Sequence, residues 1–260
     1  MANHVTLISL PFRDEVKNGD CIAQHVQTSL MEQRVKLQNG DIVVVTHKVI
    51  SKAEGLVVDL NTVECSAEAL RYADLTGKDP RLLQVILDDS IAVVRCGAKL
   101  PIITRHKLGY VSANSAVDQS NAGHDEYVIR LPENPDKSAE KIRLFLEEEF
   151  NAEIAVIVSD THGRAFRKGS MGVALGISGI SALKNFIGME DRDGRVLRGS
   201  VDAQADLLAS AAMLLMGQAA ENVPFVLIRG YEFERVKGSG ADLVRAPEQD
   251  LFAEPNTNNS

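Results

Sequence analysis

Asp160 is the carboxylate with the most telling neighbours. It follows the apolar run Ala155–Val158, sits beside the hydroxyl of Thr161, and has Gly163 close behind. An acid at a strand's mouth, with an adjacent hydroxyl and a glycine that admits a ligand, suits a hard cation, which takes oxygen donors. An Asx-turn capping the strand end accounts for the same residues. Asp118 lies in the small, polar segment Ser112–Asn121, which reads either as a loop around a polar ligand or as a solvated turn. Lys52 follows the run Ile42–Val45 and could meet phosphate oxygens as a point charge or stand at the surface. Gln218 directly follows Gly217, which stops an apolar-striped helix. The unpaired carbonyls of such a helix end carry about half a negative charge, and an amide oxygen there can add a neutral ligand or simply cap the helix.

Other chemistries are disfavoured. His47 and His162 are lone histidines in separate segments, and no His-x-x-x-His pair exists to build a histidine metal site. Gly77-Lys78 is followed by Asp79 rather than Ser or Thr, and no Gly-x-Gly-x-x-Gly follows a strand, so the standard nucleotide motifs are absent. The glycines at 169, 172, 176 and 179 are spaced for close backbone approach as readily as for a ligand.

These residues need elements to hold them. Val5–Ile8, Ile42–Val45, Ile154–Val158 and Phe225–Ile228 read as strands, the purity of Ile42–Val45 marking one covered on both faces. Asp20 is placed to cap a helix carrying Ile22, Val26 and Leu30 on one face. Helices are expected near Ser66–Asp74 and Pro80–Asp88, and Ile91–Arg95 and Gly109–Ser112 as extended chain. Asp136 and Ser138 are candidate caps for a charged helix Ala139–Phe150. Ser200 is expected to cap the strongest helix, striped by Val201, Ala205, Leu208, Ala212 and Leu215. The elements do not alternate strictly strand–helix–strand, so the expected class is α+β, mixed sheets with helices. The pattern after Pro135 suggests a second substructure, with no linker marking a boundary. Residues 1–253 are read as one domain and 254–260 as a disordered tail.

Composition sets outer limits. The 260 residues are 45% hydrophobic and 25% charged, ordinary globular values that exclude disorder, collagen and coiled coil. A net charge of −8 disfavours a nucleic-acid partner. Three cysteines (Cys21, Cys65, Cys96) without paired spacing indicate small buried side chains in a reducing compartment. No signal core or membrane-length apolar run is present, and the expectation is a soluble, cytoplasmic protein.

The motifs together are more specific than any one of them. In order, 46–55 (Thr-His-Lys-Val-Ile-Ser-Lys-Ala-Glu-Gly), 117–121 (Val-Asp-Gln-Ser-Asn), 159–167 (Ser-Asp-Thr-His-Gly-Arg-Ala-Phe-Arg) and 172–179 (Gly-Val-Ala-Leu-Gly-Ile-Ser-Gly) resemble the coenzyme F-420-0:L-glutamate ligases. Residues 205–218, 224–230 and 238–252 extend the resemblance over nearly the whole chain. It implies a GTP-dependent ligase that activates the carboxylate of a deazaflavin cofactor precursor as an acyl phosphate and joins L-glutamate to it, then a second, γ-linked glutamate. It also implies two divalent cations (Mn²⁺ or Mg²⁺), a K⁺ ion and an intertwined homodimer. By position, Asp118 and Asp160 would hold the first divalent ion, and Thr161 and Gln218 the second. Leu10, Pro11, Phe12, Arg13, His47, Lys52 and Asn121 would meet GTP. So would the segment Met216, Gly217, Gln218, Ala219, Ala220, Glu221, Asn222 and Val223. Asp118, Asp160 and Lys52 would carry the catalysis. His162 departs from the asparagine or large apolar residue expected after the Asp-Thr pair. A folate-type acceptor, or a non-catalytic nucleotide-binding relative, is the alternative.

Overall fold

The computed structural model describes residues 4–250; the expected tail at 254–260 lies outside them. In chain order the elements begin with β1 (Thr6–Leu10), α1 (Ile22–Glu32), β2 (Ile42–Thr46), α2 (His47–Ala53), β3 (Val57–Asp59), α3 (Ala67–Thr76), α4 (Pro80–Asp88), β4 (Ser90–Arg95) and β5 (Ile103–His106). They continue with β6 (Val111–Ala113), β7 (Tyr127–Ile129), α5 (Pro135–Phe150), β8 (Ala155–Arg164), β9 (Arg167–Ser178), β10 (Lys184–Asn185), β11 (Val201–Asp202), α6 (Gln204–Met216) and β12 (Phe225–Arg229). The class is α+β.

A five-stranded sheet in the order β1-β12-β2-β8-β9 forms the centre. Its pairings are antiparallel except β2 with β8, which run parallel. The β-branched run of β2 is the middle strand, and Ile42, Val43, Val44 and Val45 are all 0% exposed. Val43 and Val45 face a core closed by α1 and α5, through Ile22, Val26, Leu30, Ile142 and Leu146. Ile42 and Val44 face the opposite core, closed by α6 through Ala205, Leu208, Ala209 and Ala212. Period-2 alternation thus feeds two helical layers from one sheet. In the chain between α2 and α5, residues 57–129 carry α3, α4, the pair β3-β7 and the sheet β4-β5-β6 around a third apolar cluster that includes Leu83, Ile86, Ile102 and Val128. The helix after Pro135 packs with α1 on the central sheet.

Several boundaries differ from the sequence reading. The strand at 154 does not stop at Val158: β8 continues through the polar residues Ser159–Arg164 because β9 pairs with it along that length. Val201 belongs to β11, paired with Asn185, so α6 starts at Gln204 and Ser200 is no cap. Asn134, with Pro135 in the first turn, caps α5. Asp136 instead accepts from the backbone N–H groups of Ile177 and Gly240, while Ser138 donates to Glu54. Cys21 is the N-cap of α1, and Asp20 accepts from Lys17 N–H instead. Gly109 turns the chain at φ +92°, leaving only Val111–Ala113 extended. The cysteines are not core residues: Cys21 is exposed, and Cys65 and Cys96 are half-buried at the edge of the third cluster.

The glycines of β9 serve packing at two positions. A Cβ on Gly172 would sit 2.5 Å from the Ala209 carbonyl oxygen of α6, and one on Gly176 would sit 2.3 Å from the Pro135 carbonyl carbon of α5. A bulge at Leu175 lies between them, where Val158 faces Gly176 but Ser159 faces Ala174. The extra residue turns β9 so that both helices can approach its backbone. Gly176→Ala is expected to lower stability by about 2–4 kcal/mol, while Gly199→Ala, in open space, changes it by less than about 0.5 kcal/mol. Urea denaturation of the two variants measures the contrast; equal midpoints would contradict it.

Candidate functional site

The parallel strands β2 and β8 end side by side, Thr46 opposite Ser159, but β8 runs on. Asp160 therefore stands one residue past the end of its neighbour, next to the first turn of α2. In sheets with parallel strands, ligands bind at such carboxyl ends. Here a cleft of about 830 Å³ opens at that place, walled by α2, the 12–16 loop, the 118–125 loop and the segment after α6.

Asp160 lies between two imidazoles. His47 Nε2 is 3.2 Å from one carboxylate oxygen and His162 Nε2 is 2.8 Å from the other. His47, the first residue of α2, is fully buried and its Nδ1 lies 3.3 Å from Ser51 Oγ. The two rings thus flank the carboxylate, the nearer contact being that of His162. Burial opposes ionisation of Asp160, but His47 and His162 outweigh it and hold the carboxyl far below the ordinary carboxylate range. The Asx-turn reading falls, since Asp160 is a paired strand residue opposite Val173.

Asp118 comes from a different part of the chain. A left-handed turn with positive φ at Asn114, Ser115 and Ala116 delivers it, and two backbone hydrogen bonds with Ile129 fix its main chain. Its carboxylate accepts from Ser120 N–H at 2.7 Å and pairs with Lys48 Nζ at 2.8 Å. Burial opposes its ionisation too, but the hydrogen bond and charge of Lys48 and the Ser120 N–H prevail, so its pKa falls below the ordinary 3.8. Lys52, one turn along α2 from Lys48, pairs with Glu15 at 2.6 Å.

Most of the expected residues border the cleft. Asp118, Asn121, Asp160, Thr161 and Lys52 do so, as do Phe12 and Arg13 of the first contact loop. Leu10 does not: it is fully buried in the core, paired with Phe225, and Pro11 is likewise off the cleft wall. Of Met216–Val223 every residue but Ala220 borders it. His47 reaches it only through Asp160. Gln218 Nε2 donates to Thr161 Oγ1 at 3.1 Å, so the pair expected to share an ion are neighbours. Sequence reasoning passed over Lys48, Glu15 and Ser120, and it gave His162 no partner. The spacing of Lys48 and Lys52, four apart on one helix face, was the available signal for the first.

The donor set suits a hard cation: two carboxylates, a hydroxyl and an amide oxygen face one cleft. Among the described residues no group of three or more His, Cys, Asp or Glu side chains is arranged to enclose a metal ion. A hard cation held by only one or two carboxylates would fill the rest of its shell with water and phosphate oxygens.

With the geometry in place, comparison with known proteins is informative. The model of the family described as F420-0:Gamma-glutamyl ligase matches residues 13–230. A coenzyme F420:L-glutamate ligase of Methanopyrus kandleri is 42% identical over 94% of this chain and 95% of its own length. Proteins of the same name from Methanothermobacter thermautotrophicus and Methanocaldococcus jannaschii are 42% and 44% identical, covering 95% and 88% of this chain and 98% and 91% of their own lengths. The protein is an enzyme of the amide-forming ligase class. It belongs to the F420-0:gamma-glutamyl ligase family.

The depressed pKa of Asp118 has a consequence for stability. A carboxylate whose folded pKa lies below its unfolded value contributes stability above the unfolded pKa and loses it as pH falls toward the folded one. The stability difference between the wild type and Asp118→Asn is expected to be level near neutrality and to shrink below about pH 4. Chemical denaturation across pH measures it, and a difference that widens on acidification would contradict the assignment.

Proposed function

We propose that this protein is a GTP-dependent coenzyme F420-0:L-glutamate ligase. GTP transfers its γ-phosphoryl group to the acceptor carboxylate, giving an acyl phosphate and GDP. The α-amine of L-glutamate then attacks the acyl carbon, forming the amide and releasing phosphate, and a second glutamate follows through a γ-linkage. The observation that carries this reading is the meeting of Asp118 and Asp160, from distant segments, in one cleft that also holds Lys48 and Lys52. Phosphoryl transfer to a carboxylate brings anions together, so screening by cations and fixed positioning supply most of the catalysis.

In this reading Asp118 and Asp160 hold one divalent ion, and Thr161 and Gln218 the second. Bound there, Mg²⁺ or Mn²⁺ would neutralise charge on the phosphates. A K⁺ ion belongs to the same proposal. Lys52 meets phosphate oxygens as a point charge, exchanging its partner Glu15 for the nucleotide. Glu15 is 71% exposed, so that exchange costs little. His47 and His162 keep Asp160 ionised and oriented. The homodimer is part of the proposal as well. Leu207 and Leu214 on the outer face of α6, with Ile187 and Met189 on the arm between β10 and β11, are exposed apolar surface that a second copy would cover.

The test is turnover with GTP, Mn²⁺, K⁺ and L-glutamate, offering either the deazaflavin precursor or a folate, with products read by mass. One or two glutamyl units on the deazaflavin with GDP released is the expected result. Glutamate on the folate alone would replace the acceptor, and no product on either would overturn the reading. Asp160→Asn is expected to lower turnover by at least about a hundredfold with secondary structure retained. Lys52→Ala is expected to weaken GTP binding by about tenfold, seen by calorimetry, and unchanged affinity would return Lys52 to a surface role.

A further inference from the structure

Two contrasting kinds of ion pair stand out among the described residues. Asp41 with Arg229 and Asp89 with Arg130 are bidentate, and their carboxylates are 2% and 4% exposed. Such pairs are costly to open, because one partner would be left buried and uncompensated. Lys48 with Asp118 is of the other kind: a single ammonium on one carboxylate oxygen, the side chains 23% and 35% exposed, both on the cleft wall. A monodentate, half-open pair contributes little stability and is readily exchanged.

The surroundings of this pair are built rather than incidental. Lys48 Nζ also donates to Ser120 Oγ at 2.6 Å, while Ser120 N–H donates to the second oxygen of Asp118 at 2.7 Å. Ser120 therefore holds carboxylate and ammonium together as a three-residue clamp at the end of the 114–121 turn. The ammonium lies against Asp118 Oδ2, where a cation approaching that oxygen meets a like charge and competes with it. Once displaced, Lys48 remains on the cleft face of α2, one turn from Lys52.

We propose that Lys48 is a tethered place-holder: its ammonium neutralises Asp118 while the cleft is empty, competes with a divalent cation for that carboxylate, and on displacement turns to the anionic substrate beside Lys52. The inference rests on the proposed role of Asp118 as a metal ligand and extends it to a residue outside the carried-over set. It links the two binding events. The cation frees a second ammonium for phosphate or carboxylate oxygens, and an anion that captures Lys48 bares Asp118 for the cation. By linkage each ligand strengthens the other.

The test is Mn²⁺ binding without nucleotide, followed by electron paramagnetic resonance on the full chain. Wild type, Lys48→Met, Lys48→Arg and Asp118→Asn are compared, with folding checked by circular dichroism. Lys48→Met is expected to bind Mn²⁺ about fivefold more tightly, Lys48→Arg to stay near wild type, and Asp118→Asn to lose the site. A merely structural lysine would give the opposite sign, since removing it would loosen Asp118 and weaken the ion. Unchanged or weaker Mn²⁺ binding in Lys48→Met, with the site still lost in Asp118→Asn, overturns the place-holder and leaves the metal assignment standing. Mn²⁺ binding that ignores Asp118→Asn, or that no variant shows, overturns the metal assignment and the place-holder with it.

Discussion

The parallel pairing of β2 with β8 is the constraint on which the rest of the molecule depends. The two strands are the buried middle of the sheet, and their side chains feed both helical cores. Because they run parallel, both deliver their carboxyl ends to the same edge. Because β2 stops at Thr46 and β8 does not, that edge holds a step rather than a rim. The step places Asp160 against His47, the first residue of α2. An antiparallel pairing would have sent one of these residues to the opposite edge and left no charged centre there. The bulge at Leu175 and the bare backbone at Gly172 and Gly176 let α5 and α6 clasp β9, which carries β8 beyond the sheet.

Three carboxylates at the step each meet a nitrogen-bearing side chain. Asp118 holds Lys48, Glu15 holds Lys52, and Asp160 holds two imidazoles. The cleft wall also carries Arg13, Asp14, Asp125 and Glu221, so carboxylates outnumber basic side chains there, which favours a cation. The acid pair Asp118–Lys48 is the most exposed to exchange among those that also carry a backbone clamp. Asp160, enclosed by histidines, is the fixed member.

The family assignment and the geometry support each other at different levels. Sequence similarity over nearly all of the chain establishes kinship, and the residues that carry the resemblance give candidate positions. Geometry sorts those positions by what their side chains can touch. Leu10 is a core residue and His47 acts behind Asp160, whereas Gln218 and Thr161 meet directly at the cleft wall. A position can border a site through its backbone, its side chain or its neighbour, and only coordinates separate these.

Much of the scaffold was legible in the chain itself. The β-branched run Ile42–Val45 reads as a strand covered on both faces, and the helical stretches near Ser66–Asp74 and Pro80–Asp88 are helices that the structure keeps. The ordered motifs likewise carried Asp118, Asp160, Thr161 and Gln218 as a set. What the chain could not show is any feature whose partner is remote. Ser159–Arg164 has no apolar alternation, so its strand exists only because β9 supplies the hydrogen bonds. Val201 carried a helical stripe yet went to β11, since a strand partner at Asn185 competed successfully with the local period. The clamp of Lys48, Asp118 and Ser120 joins α2 to a distant loop. Local propensity and hydrophobic period are properties of neighbours along the chain and can be read there. Charge pairing and strand extension depend on residues brought near only by folding, and the tertiary structure alone decides them.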